Sequence, residues 1–189
     1  MEGKTVREMD AQALKAFTHP VRMRLYELLE EYGAATATML AGRIEENTGV
    51  TSYHLRQLAR HGLVVEVPEK ARGKERWWRA AGFTSDTDRF RKDPDTAEAA
   101  EVLMAGLVRQ RHAELARWVE QSRTASREWI EAATHTRRHL RLSREHLAEL
   151  GRRVQELLDS YDDDGDDGER VVVHFDAFPL GLSGDQADG

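Results

Sequence analysis

Apolar positions in the N-terminal third of the chain recur at helical spacing in short blocks, each bounded by a residue that starts or stops a helix. Asp10 is an N-cap type, and Ala13, Leu14 and Phe17 behind it share one face, which predicts a helix over 11–17. Thr18 and His19 lead into Pro20, a residue suited to a first helical turn. Val21, Leu25, Leu28 and Leu29 then fall at i, i+4, i+7 and i+8 until Gly33 ends the pattern. Thr36 or Thr38 is placed to cap a short third helix carrying Met39, Leu40 and Ile44. After the turn-like run Glu46, Asn47, Thr48, Gly49, a fourth helix is expected to about Arg60, with Gly62 as its terminating glycine. Short helices on brief turns at this spacing predict a helix-turn-helix.

The period then changes. Leu63 to Val67 is a β-rich run, Pro68 to Glu75 is polar with Gly73 supplying a permissive backbone, and Arg76 to Arg79 is a second short run. A β-hairpin with a loose basic tip is expected. Residues 80–95 are charged and patternless and read as a linker. From Thr96 to about Arg123 the helical pattern returns: Met104, Leu107, Val108, Leu115 and Trp118 belong to an apolar face too wide for a lone exposed helix. Further helices are expected over 125–141 and, capped by Ser143, through Leu158. An acidic spacer and a strand candidate, Arg170 to Phe178, follow, and the last ten residues read as disordered. The predicted class is mainly α with a small β-hairpin. Its parts are a winged helix-turn-helix domain over 1–82, a linker over 83–95, a long-helix dimerisation region over 96–160, a spacer over 161–169, a strand over 170–178 and a tail over 179–189.

Composition narrows the function classes. No apolar run approaches the ~18 residues of a membrane span, and the N-terminal MEGKTVREMDAQ lacks the apolar stretch of a signal peptide. The absence of cysteine excludes disulfides, thiolate zinc sites, iron–sulfur clusters and cysteine nucleophiles, so a cytoplasmic protein is expected. A net charge of −6 argues at first against a polyanionic partner. By region, however, residues 1–80 carry +2, residues 81–160 carry 0 and residues 161–189 carry −8, so the acidity resides in the tail. The stretch from Tyr53 to Arg79 holds 7 basic against 3 acidic residues.

That basic stretch coincides with the fourth helix and the hairpin. On a 3.6-residue period Thr51, Leu55 and Leu58 share an inward face, while Thr48, Gly49, Ser52, Tyr53, Arg56, Gln57 and Arg60 lie outward or beside it. Hydroxyls and a forked guanidinium on a glycine-opened helix suit phosphates and base edges; a plain solvated basic face is the alternative. Lys70, Arg72, Lys74 and Arg76 crowd the hairpin tip, where each cation would add counterion-release affinity, unless the loop merely solubilises. Trp77 and Trp78 point to opposite faces, so one is expected in the core.

His19-Pro-Val-Arg-Met-Arg-Leu25, Thr51-Ser-Tyr-His-Leu-Arg-Gln-Leu58, His61-Gly-Leu-Val64 and Gly73-Lys-Glu-Arg-Trp-Trp78 resemble the ArsR-like winged helix-turn-helix transcriptional regulators, in particular a branch with a long helical C-terminal extension. The resemblance covers residues 10–80. It implies a homodimer that binds an operator in double-stranded DNA, usually as a repressor, with Ser52, Tyr53, His54 and Arg56 on the DNA and the 70–76 turn as the wing. The chain departs from the metal sensors of that family, which commonly sense through cysteines. A winged-helix module that binds an acidic protein instead of DNA is the alternative from another class.

Other chemistry is weaker. Glu131, His135 and His139 recur at i, i+4 and i+8 and would share a helical face able to hold zinc or nickel, although Arg137 and Arg138 in the same turn would repel a cation. The acidic spacer over 162–169 is only loosely like a calcium loop, lacking a glutamate at the twelfth position. No phosphate-binding, nucleophile-elbow, zincin or dinucleotide motif occurs, so neither an enzyme nor a bound cofactor is expected. Trp118, Trp129, Met104, Leu107, Leu147 and Leu150 would fit either an apolar effector pocket between protomers or plain dimer core.

Overall fold

The computed structural model describes residues 7–71, 73, 75–161 and 168–180, arranged as two units that divide after Glu120. The first unit begins with β1 (Arg7–Glu8). Asp10 accepts the Ala13 amide at 2.7 Å and so starts α1 (Ala11–Phe17), which buries Ala13, Leu14 and Phe17. His19 caps α2 (Pro20–Tyr32) in an unusual way: its Nδ1 accepts the Val21 amide at 3.2 Å. Gly33, at a φ of 78°, stops α2, and β2 (Ala35–Thr36) runs directly into α3 (Ala37–Ile44). Asn47 Oδ1 accepts the Val50 amide at 2.8 Å to open α4 (Thr48–Arg60), and Gly62, at a φ of 70°, follows its end.

The chain then forms β3 (Val64–Glu66), a 3-10 turn at Pro68–Lys70 and β4 (Trp77–Ala80). The expected hairpin is therefore present, but it is part of a three-stranded antiparallel sheet of order β2-β4-β3. Ala35 and Thr36 pair with Trp78 and Trp77, and Val64 to Glu66 pair with Ala80 to Trp78. A two-residue strand carries too few positions for alternation to reveal it in a sequence.

The linker expected over 83–95 is ordered structure. β5 (Phe83–Thr84) pairs in parallel with β1, and α5 (Thr87–Lys92), capped by Asp86, buries Phe90. Phe83 packs edge-on against Phe17, with ring centroids 5.2 Å apart, and lies 5.6 Å from Tyr26. The Tyr26 hydroxyl donates to the Ala81 carbonyl at 2.7 Å, and Thr96 Oγ1 donates to the Phe90 carbonyl at 2.8 Å. Isolated aromatic anchors at 83 and 90 make no period, which is why the segment looks patternless. α6 (Ala97–Gln121) closes the unit by burying Ala100 and Leu103 in the core formed by α1 to α4 and the sheet.

The second unit contains α7 (Arg127–Ala132) and α8 (Arg144–Asp159), capped by Ser126 and Ser143. The helix expected to Arg141 ends at Ala132. Beyond Ile130 the next large apolar side chain is Leu140, so no stripe exists to bury, and Thr134 and Thr136 are poor helix formers. α8 keeps Leu147, Leu150, Val154 and Leu158 half-buried. The strand expected over 170–178 is not formed among the described residues: Val171, Val172 and Val173 are exposed. β propensity alone does not make a strand without a ladder to join. The spacer residues 162–167, the tail from 181 and the hairpin residues Arg72 and Lys74 lie outside the described residues.

Candidate nucleic-acid interface

α4 is anchored by one face and offers the other. Thr51, Leu55 and Leu58 are fully buried, whereas Thr48, Gly49, Tyr53, Arg56 and Arg60 are exposed and Ser52 and Gln57 half-buried. Seven of the residues proposed from sequence are therefore brought to one accessible helix face. Arg56 Nε donates to the Ser52 carbonyl at 3.1 Å, which lays the guanidinium along the helix surface. Gly49 stands at the helix start, where an added Cβ would lie 3.2 Å from Asn47 Oδ1, the capping atom itself.

His54 is the correction to the sequence-based set. It faces inward, 8% exposed, with its ring 4.8 Å from that of His19 and 5.3 Å from that of Tyr53. Position 54 lies one turn before Leu58 and three residues after Thr51, so it belongs to the buried stripe. Desolvation, then the neighbouring His19 and Arg22, pushes the His54 pKa down, with Glu46 opposing. His19 is pushed down by desolvation and by Arg22, whose Nε donates to the Ala16 carbonyl. An Nδ1 that accepts an amide proton must itself be unprotonated, in keeping with that direction. The stacked pair joins the start of α2 to the middle of α4. No sequence signal marked it, because histidine is not a preferred capping residue.

Beside α4 the sheet supplies the second part of the surface. Lys70 is exposed at the end of the 3-10 turn, and Arg76 Nη1 meets Glu66 at 2.9 Å across the strands. Gly73 has a φ of 69° at the tip. Trp78, 4% exposed, is the core tryptophan, and Trp77 is half-buried with its Nε1 enclosed. A recess of about 390 Å³ lies between the start of α3, α4 and β4, lined by Thr36, Thr38, Ser52, Arg56, Arg76 and the acidic Glu75. The surface thus pairs hydroxyls and guanidinia at one concave junction.

The remaining sequence-based residues divide. On α6, Leu107 packs against the core of its own unit and Met104 and Trp118 are half-buried, while Val108 and Leu115 are about half exposed at 48% and 50%. The apolar face is therefore wide in part because one edge belongs to the unit's own core. Glu131 sits on α7, but His135 and His139 lie beyond its end, so the helical metal-ligand spacing is not realised. Among the described residues no cluster of three metal-ligating side chains occurs. Trp129 belongs to α7 and Leu147 and Leu150 to α8, all in the second unit. Among the described residues no helix is long and apolar enough to cross a membrane.

Helices α2 to α4 with a three-stranded sheet behind them define a winged helix-turn-helix domain. Residues 17–67 match the family model of a helix-turn-helix domain. No curated protein matches the chain. Three solved structures resemble it in part. A crystal structure of a fragment of a "possible transcriptional regulatory protein" from Mycobacterium bovis is 21% identical, covering 55% of this chain and 89% of that one, with a TM-score of 0.35. A crystal structure of a "possible transcriptional regulator for arsenical resistance" is 26% identical over 66% of this chain and 98% of that one, with a TM-score of 0.33. A solution structure of a homodimeric winged helix-turn-helix domain from Mycobacterium bovis, a "possible ArsR-family transcriptional regulator", is 22% identical over 55% of this chain and 81% of that one, with a TM-score of 0.36.

Proposed function

We propose that the protein is a sequence-specific regulator of transcription that binds double-stranded DNA as a homodimer and acts as a repressor released by an effector. The observation that carries the reading is the two-sided character of α4: Thr51, Leu55 and Leu58 are sealed into the core while Ser52, Tyr53, Arg56 and Arg60 are presented beside a basic wing. In this reading α4 enters the major groove, with Thr48, Gly49 and Gln57 approaching the backbone and Arg56 reading base edges. Lys70, Arg72, Lys74 and Arg76 track the flanking phosphates. His54 acts from within, holding α4 against His19.

The second copy is argued from α6, where Val108 and Leu115, seven residues apart, leave apolar surface exposed on one face, flanked by Met104 and Trp118. Two-fold symmetry then demands a palindromic operator whose half-sites lie about 10 bp apart, or a multiple of that spacing. Selection from a random duplex library with the full-length chain, followed by gel shifts at low and moderate salt, is the test. A palindromic consensus is expected. Retention of all sequences alike, or of none, would refute the proposal.

A further inference from the structure

The N-terminal unit contains a second recess, remote from α4, of about 350 Å³, where α1, α2, the turn after β4 and α6 meet. That volume falls in the range of small-molecule sites, ~300–1,000 Å³. One side is aromatic: Phe17 packs edge-on against Tyr26 and Phe83, with centroids 5.1 and 5.2 Å apart, and Tyr26 and Phe83 lie tilted at 5.6 Å. The Met23 thioether and Leu107 add apolar surface, and the Met23 Cε occupies the space beside Gly106 on α6.

The charged groups of the wall are anionic, and its other polar side chains, Ser85, Thr87 and Gln110, are neutral. Glu27 and Glu30 both line the recess, and no lysine or arginine does; Arg24 meets Glu27 at 3.2 Å. Gln110 Nε2 donates to Glu30 at 3.2 Å and to Glu114 at 3.0 Å, which brings a third carboxyl close behind. Desolvation, reinforced by Glu114 and offset by the Gln110 bond, raises the Glu30 pKa. Two carboxylates on one wall favour a cation over a neutral or anionic group by charge, and the aromatic and aliphatic side chains beside them offer apolar contact to the rest of such a ligand. An anionic ligand would add a further negative charge to the cluster.

We propose that this recess binds a hydrophobic organic cation, an ammonium group bearing an aromatic or aliphatic body, with its charge at Glu30 and Glu27 and its body against Phe83 and Leu107 at the mouth of the aromatic cluster. None of the lining residues belongs to α4 or to the β3–β4 hairpin, so the binding does not depend on the DNA-binding reading.

The test titrates the full-length chain, without DNA, by calorimetry with three ligands sharing one body: naphthylmethyl-trimethylammonium, naphthylmethanol and naphthylacetate. The cation is expected to bind roughly tenfold tighter than the alcohol, and the carboxylate more weakly than either. A Glu27→Gln/Glu30→Gln chain should bring the cation down to the level of the alcohol and leave the alcohol unchanged, which shows that the recess is intact. Equal affinity for cation and carboxylate would overturn the proposal, as would an unaltered cation affinity in the double variant or no binding of any of the three.

Discussion

Replacing Arg56 with alanine separates the folding role of α4 from its proposed reading role. The side chain is exposed, and its hydrogen bond to the Ser52 carbonyl stays within the same helix. Alanine is the better helix former, so stability should change by no more than about 0.5 kcal/mol, which a urea titration measures. On DNA the cost differs by mechanism. A guanidinium forked onto a base edge is worth about 1–3 kcal/mol of discrimination, roughly 5- to 150-fold in affinity for the selected operator, with little loss on a scrambled duplex. A guanidinium that only meets a phosphate would weaken both duplexes alike and reduce the salt slope by about one unit. Fluorescence anisotropy on operator and scrambled duplexes across a salt series distinguishes these outcomes. Parallel loss on both duplexes would refute base reading by Arg56. Unchanged binding on both would remove the outer face of α4 from the interface altogether.

Other perturbations address the scaffold. Leu55→Ala should cost about 2–5 kcal/mol, read by denaturant unfolding, because the residue is fully buried and its loss opens a cavity beneath α4. Gly106→Ala should cost no more than about 1 kcal/mol in thermal melts, because the added Cβ meets only the terminal methyl of Met23, a flexible side chain that can swing into the adjoining recess. His19 and His54 are both held below their ordinary pKa of 6.5, so the unfolded chain takes up protons before the folded one does. Their contribution is complete above that value and is lost as pH falls through the folded pKa values; a His19→Gln/His54→Gln chain should show a flatter melting-temperature profile below neutral pH. Leu115→Glu places a charge on the exposed face of α6 and should turn the proposed dimer into a monomer in light scattering, with the melting temperature nearly unchanged.

What could be read in advance followed periodicity. Residues 11–60 carry their caps, stripes and stop glycines in local sequence, so α1 to α4 fall within a residue or two of expectation, and Asp10, Asn47 and Ser143 act as local signals. The outward face of α4 was legible for the same reason, since Thr51, Leu55 and Leu58 fix the inward one. His54 was assigned to the DNA by the family resemblance alone, whereas its place on the stripe requires burial. The segment 83–95 was missed because its order comes from distant partners: Phe83 rests on Phe17 and Tyr26, and β5 on β1. The recess beside Glu30 could not be seen either, for it is assembled from positions as far apart as Phe17 and Gln110. In the second unit, valine-rich composition over 171–173 suggested a strand that no ladder supports.

Thr36 does two jobs within one residue. Its hydroxyl accepts the Met39 amide at 3.3 Å and so starts α3, while its backbone pairs with Trp77 at the root of the wing. Because α3 in turn packs on α4, the helix and the wing are set out from a common origin. On a duplex they would act as the two jaws of a caliper with a fixed opening. A site with correct bases under α4 but a flanking backbone displaced by one base pair would satisfy one jaw only, so in the proposed function spacing would be discriminated along with sequence.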